Sequence, residues 1–269
     1  MAATPPPRRR TQGAVRALLL ALTVLAACSQ APPAATRILP PIAAGGVRSG
    51  SPENCASVHG SYVMSPVRVR LPDAGSVMLP GPRWCIIASD DTGFVAMHEV
   101  AEPGAPPPPN GTLSVAERLH SALFSIRVFR AGAYFGAAPQ TLETLRQRVA
   151  ADARALLAAR TVRRPDGPPL TVVTASAGEP IAGTTCVPLR SEVEGPVAEA
   201  VPPVMTVRAT TSRFCLDPGV AVVELEVTEA FVKGDPDADR RGAGIRRLAD
   251  EFFASLSLRA PPGSTAARE

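Results

Sequence analysis

Apolar and polar positions alternate along several stretches of the chain. Val67-Arg68-Val69-Arg70-Leu71 has period two, which predicts a half-buried strand. Trp84-Cys85-Ile86-Ile87 and Phe94-Val95-Ala96-Met97 are rich in strand-forming residues and predict two more. Phe124 to Phe129, Leu170 to Ala175 and Val204 to Arg208 read the same way. Val223, Leu225 and Val227 alternate with Glu224, Glu226 and Thr228, predicting a strand with one face on the core and one in water.

Elsewhere the period lengthens. Leu142, Leu145, Val149, Ala153 and Leu156 are spaced 3, 4, 4 and 3, one apolar stripe of a helix over about 140–160. Thr141 is placed to cap its start, Glu143 lies in the first turn and Arg160 in the last, as the helix dipole favours. Ile245, Leu248, Phe252 and Leu256 predict a second helix over about 243–257. Ser114-Val115-Ala116-Glu117 matches a capping box and starts a short helix to about Ala122, with His120 on its exposed side. Residues 102–112 hold Pro106 to Pro109 in a row, an extended surface loop.

Strands, helix, strands, helix is an α+β order: a largely antiparallel sheet packed by two main helices. Arg83-Trp84-Cys85 before a Gly-led strand at Gly93 is echoed by Arg213-Phe214-Cys215 before Gly219. The echo suggests a pseudo-duplication with a period of about 130 residues; coincidence between common residue types is the alternative.

The first residues carry a different signal. Arg8-Arg9-Arg10 and Arg16 precede the apolar run from Ala17 to Ala27, which ends at Cys28. A basic start, a short apolar run and small residues before a cleavage point describe a secretory signal peptide. The run falls short of the about 20 residues that span a bilayer. Leu25-Ala26-Ala27-Cys28 resembles the lipobox of bacterial lipoproteins. That resemblance implies cleavage before Cys28, acylation of its thiol and new amino group, and a palmitate-bearing anchor. Ser29, rather than an aspartate, resembles the sorting pattern for the outer membrane. The expected organisation is a signal peptide at 1–27, a Pro/Ala/Gly-rich tether at 28–54, an α+β globular domain at 55–258 and a disordered tail at 259–269. As a flexible coil the tether reaches roughly 25–30 Å.

This leader changes the charge picture. The formal charge of +4 counts 28 basic and 24 acidic residues, and four of the arginines lie in the leader, which has no acid. The remaining chain carries 28 − 4 = 24 basic residues against 24 acidic ones, so no basic-patch argument for nucleic acid survives. Lys233 is the only lysine, which excludes a Gly-x-x-x-x-Gly-Lys phosphate loop. Hydrophobic residues make up 45% and aromatic ones 4%, so the core is expected to be mostly aliphatic.

Cys28 apart, the cysteines are Cys55, Cys85, Cys186 and Cys215. An even count in an exported chain predicts disulfides, and three pairings are open. Separations of 30 and 29 residues favour Cys55–Cys85 and Cys186–Cys215. Zinc sites use close cysteine pairs, and the sequence has none.

Candidate chemistry is sparse. His98-Glu99-Val100-Ala101-Glu102 superficially matches a metalloprotease helix, but Pro103-Gly104 follows at once and strand-forming residues precede it. Asp235-Pro236-Asp237-Ala238-Asp239 opens like a calcium loop, yet Arg240 and Arg246 stand where an EF-hand needs Gly and Glu. An acidic turn before a helix is the better reading. His59, His98 and His120 are scattered, and no Gly-x-Ser-x-Gly elbow occurs. Asn110-Gly111-Thr112 is a sequon without consequence in a bacterial lipoprotein. No catalytic residue, metal ligand or cofactor is assigned.

The end of the chain, Ala249-Asp250-Glu251-Phe252-Phe253-Ala254-Ser255-Leu256-Ser257-Leu258-Arg259, resembles the last helix and strand of the Tli4-type immunity lipoproteins, which guard the periplasm against type VI secreted lipases. It is also similar to the ending of small PsbP/Mog1-like domains of bacterial lipoproteins. Neither resemblance transfers a functional residue. The expected protein is a non-catalytic, lipid-anchored binding or assembly lipoprotein on the periplasmic face of the outer membrane. Its partners would be the membrane, through the lipid, and an envelope or secreted protein. An immunity lipoprotein neutralising a toxin and an envelope-acting enzyme with a dispersed site are the alternatives.

Overall fold

Alternating apolar side chains on long strands build most of this molecule, and two helices of different character cover it. The computed structural model describes residue 55 and residues 61–71, 73–81, 83–90, 93–98, 114–164, 167–197 and 203–258. The segments expected as signal peptide, tether and tail, together with Cys28, the proline-rich stretch, His59 and Asn110-Gly111-Thr112, lie outside the described residues. All described residues belong to one unit, Pro41–Glu269.

Nine strands form one antiparallel sheet in the order β1-β4-β5-β6-β11-β10-β9-β8-β7. They are β1 (Ser61–Val63), β4 (Trp84–Asp90), β5 (Gly93–His98), β6 (Ser121–Arg130), β7 (Thr161–Arg164), β8 (Gly167–Ala177), β9 (Cys186–Val197), β10 (Val204–Asp217) and β11 (Ala221–Val232). A second sheet has the order β12-β3-β2 and consists of β2 (Val67–Leu71), β3 (Gly75–Leu79) and β12 (Ser257–Leu258). Four helices have described bounds: α1 (Val115–Leu119), α2 (Ala131–Phe135), α3 (Leu142–Ala159) and α4 (Ala238–Ala254). The architecture is mixed α+β with mostly antiparallel sheet.

The large sheet is covered on opposite faces at its two ends. Along β11, Ala221, Val223, Leu225 and Val227 point toward α4 and the small sheet. They join Trp84, Phe124, Ile126, Ile245, Phe252 and Phe253 in one core. Val222 points the other way. It meets α2 and α3 through Phe135, Leu145 and Val149, together with Val187, Leu189, Phe214 and Leu216. Period two along the strands thus feeds two separate cores.

Local signals explain the helix ends. Ser114 accepts from the Glu117 amide at 3.2 Å, and the Glu117 carboxylate accepts from the Ser114 amide at 2.7 Å, completing the capping box. Thr141 caps α3 by accepting from the Thr144 amide at 3.2 Å. Arg160 ends α3 in the left-handed region at φ 56°. Gly75 sits at φ 119° under the Ser257 backbone, where a Cβ would collide, so β12 lies close on β3.

The structure corrects several sequence readings. The helix after Ser114 stops at Leu119, and Ser121 already belongs to β6. The last helix starts at Ala238, five residues before the expected boundary, and stops at Ala254. β9 was not anticipated: Pro188, Gly195 and Pro196 conceal a twelve-residue strand paired on both sides. The expected wet face of β11 is buried. Glu224, Glu226 and Thr228 are 3%, 4% and 5% exposed, because β11 lies between β6 and β10 in the middle of the sheet.

Candidate functional site

The assigned cysteines fall into two pairs. Cys55 bonds to Cys85 and Cys186 to Cys215, with Cα atoms 5.4 and 4.0 Å apart, the pairing that the spacing favours. Cys186 and Cys215 are directly opposed across β9 and β10. The pairs lie on opposite faces of the large sheet. Trp84 points into the α4 core, so its neighbour Cys85 points away from it. Val187, Phe214 and Leu216 point into the α3 core, so Cys186 and Cys215 point away from that one.

A buried polar cluster sits where α1, β11 and the start of α4 meet. His120, expected on an exposed helix face, is the C-cap residue of α1 and only 3% exposed. Its Nε2 lies 2.7 Å from Glu229 Oε1. Arg241 Nε donates to His120 Nδ1 at 3.4 Å. A guanidinium can only donate, so Nδ1 is the bare nitrogen and Nε2–H donates to Glu229. Arg241 also binds Asp235, and both side chains are nearly buried. Arg246 lies 3.9 Å from the other oxygen of Glu229, and its guanidinium donates to the Asp239 carbonyl at 2.6 Å.

Local sequence explains this convergence only in part. Asp235 belongs to the acidic turn ahead of α4; its Oδ1 accepts from the Asp237 amide at 3.1 Å, while Oδ2 takes the Arg241 guanidinium. Gly242 leaves the room: a Cβ there would strike the Glu229 carboxylate and Arg246. The largely buried carboxylates of Glu229 and Asp235 and the more exposed ones of Asp237 and Asp239 surround the guanidiniums of Arg241 and Arg246 beside the imidazole. On the neighbouring α1, the Ser114 hydrogen bonds hold the Glu117 carboxyl below its ordinary value, and Arg241 and Arg240 add to this.

A second polar group lies on the opposite face of β11. Arg127 Nε is 3.1 Å from Glu224, and its Nη2 is 3.7 Å from Glu226. Ser212 donates to Glu226 at 3.3 Å, and Thr210 and Thr228 share a hydrogen bond of 3.0 Å. These side chains are cross-strand neighbours on β6, β11 and β10.

Both clusters are internally paired. A buried ion pair contributes little net stability yet is costly to break, and it fixes one arrangement of the elements that carry it. Glu229 and Arg241 engage the two ring nitrogens of His120 and hold the ring in one orientation. Among the described residues no group of three metal-ligating side chains converges. His98 lies on β5, and its backbone pairs with Trp84 and Ala122.

Sequence reasoning missed Glu229 and Arg241 as partners of His120, and Asp235 as the partner of Arg241. The contacts span 109 and 121 positions, and the only local hint was the acidic turn before α4.

Comparison with known proteins adds little. No family model matches the chain, and no curated relative does. Among solved structures, a mutant of the protein Mog1 is similar at a TM-score of 0.40 and 12% identity, over 72% of this chain and 96% of that one.

Proposed function

We propose that this protein is exported, lipid-anchored through Cys28, and acts as a non-catalytic binding or assembly lipoprotein at the periplasmic face of the outer membrane. Cysteine accounting carries the reading. The chain has five cysteines, and four are used in two disulfides. The fifth is Cys28, directly after Leu25-Ala26-Ala27. Structural disulfides persist in oxidising compartments, which agrees with export. The two longer helices and the Trp84-Cys85 and Phe214-Cys215 echo fit a body built from two related halves, each with its own helix and disulfide.

Labelling with an alkyne analogue of palmitate in a bacterial host tests the anchor. The chain should take up the label and fractionate with membranes, and Cys28→Ala should lose both. Equal labelling of Cys28→Ala, or none of the parent chain, overturns it. Crosslinking and affinity capture then test the role. Envelope proteins in fixed stoichiometry support assembly. A single secreted toxin selects the immunity reading instead.

A further inference from the structure

Over β8, β9 and β10 the large sheet turns an open face toward solvent, on the side that carries α4. Cross-strand register places Ser176, Arg190 and Thr211 in one row on that face. Arg213, two residues along β10 from Thr211, stands on the same face. Its guanidinium lies 4.4 Å over the Phe253 ring, which is part of the α4 core. The stacking fixes the orientation of a planar donor group beside a partly desolvated wall.

Among the described residues, neither Arg190 nor Arg213 has an ion pair or a hydrogen bond to its guanidinium, and the Ser176 and Thr211 hydroxyls have no partner. This contrasts with Arg127, Arg146 and Arg241, each on a carboxylate. Burial pushes the Arg213 guanidinium below its usual value, Asp250 opposes this, and the like charge of Arg190 adds to it. Glu192 shares the face one step further along β9, opposite Ala209 and Thr174. Neither Glu192 nor Asp250 reaches ion-pair distance of either arginine among the described residues.

We propose that Arg190 and Arg213, with the hydroxyls of Ser176 and Thr211, form a binding site for a phosphate group. Guanidiniums bind oxyanions through paired N–H groups. Two cations match a phosphomonoester, which carries about −1.5 to −2 charges at neutral pH, better than a carboxylate. Two hydroxyl donors suit its additional oxygens. The phosphate is either that of a soluble ligand or that of a lipid headgroup.

The test uses the full-length chain in non-ionic detergent, titrated by calorimetry with phenyl phosphate and with acetate. A parallel arm measures flotation with phosphatidylcholine vesicles containing or lacking phosphatidic acid. The expected result is arginine-dependent binding: Arg190→Gln weakens it about tenfold, and Arg213→Lys, which keeps the charge but loses the fork, weakens it as well. Phenyl phosphate binding with this dependence identifies a soluble source. The same dependence seen only on phosphatidic acid vesicles identifies a headgroup. Acetate binding as tightly as phenyl phosphate, or equal binding by the parent chain and Arg190→Gln in both arms, overturns the proposal. Arg190 is exposed, so its variant should keep the parent's thermal midpoint, and the loss then reports the site rather than the fold.

Discussion

The two ends of the large sheet solve the same burial problem in opposite ways. At the β4–β6 end, α4 and the small sheet cover one face, and Trp84, Phe124, Phe252 and Phe253 sit among aliphatic side chains in the core. Phe124 lies edge-on to Trp84 at 4.8 Å and to Phe252 at 5.3 Å. At the β8–β10 end, α3 covers the other face, and the buried helix residues are the aliphatic Leu145, Val149 and Ala153. At each end the disulfide lies on the face of the sheet opposite the one that α4 or α3 packs against. β11 belongs to both halves, with a buried polar cluster on each side. A central strand can therefore hold two sets of charges only because each set is paired where it stands.

The largest test of this contrast is a matched pair of truncations. Phe124→Ala removes a ring held by two edge-to-face contacts and should cost about 3–5 kcal/mol, measured by urea unfolding. Leu145→Ala in the α3 core should cost about 2–5 kcal/mol and fall below it. A larger loss at Leu145 would place the stronger core at the other end.

Removing the disulfides sharpens the comparison next. Loops of 30 and 29 residues restrict the unfolded chain almost equally. Replacing Cys55 and Cys85 by Ala, or Cys186 and Cys215 by Ala, should each cost about 2–4 kcal/mol. Similar losses support the unfolded-chain account. A clear inequality in denaturation midpoints would show that one half draws on native-state packing.

A smaller effect separates two glycines on α4. A Cβ at Gly242 meets the Glu229 carboxylate, whereas at Gly244 it meets nothing within 4 Å. Gly244→Ala should therefore gain about 0.5–1 kcal/mol from helix propensity. Gly242→Ala should lose about 1–3 kcal/mol as the charged cluster is forced apart. A gain at both positions would show that Glu229 yields easily. Nearly all the sequence signal for α4 lay in its apolar stripe, and these glycines are why its first turns were unexpected: Gly is a poor helix former, and the reason for Gly242 lies on a distant strand.

The smallest effect concerns α3. Hydrogen bonds from Arg146 and then Gln147 hold the exposed Glu143 carboxyl at about 2, down from 4.5. Its folded value is depressed, so its contribution is present above the ordinary value and is lost as pH falls through about 2. Carbon-detected NMR titration should find the carboxyl still ionised at pH 3, and Arg146→Ala should return it toward the ordinary value. A normal titration in the parent chain would remove the interaction.

Period and caps were enough to place α3, the capping box at Ser114, the strand at Val67–Leu71 and the alternation of β11. Cysteine spacing was enough for the disulfide pairing. These features depend on residues a few positions apart, or on one separation along the chain. The resemblance of Leu25-Ala26-Ala27-Cys28 to a lipobox also rests on the sequence alone. Only the tertiary structure decided that Glu224 and Glu226 are buried, that His120 is enclosed by Glu229 and Arg241, and that Arg190 and Arg213 share an open face. A side chain's burial and charge environment depend on which strands lie beside it, and those neighbours come from sequence-distant segments. The same alternation describes an edge strand in water and a central strand between two cores. Only the order of strands in the sheet tells them apart.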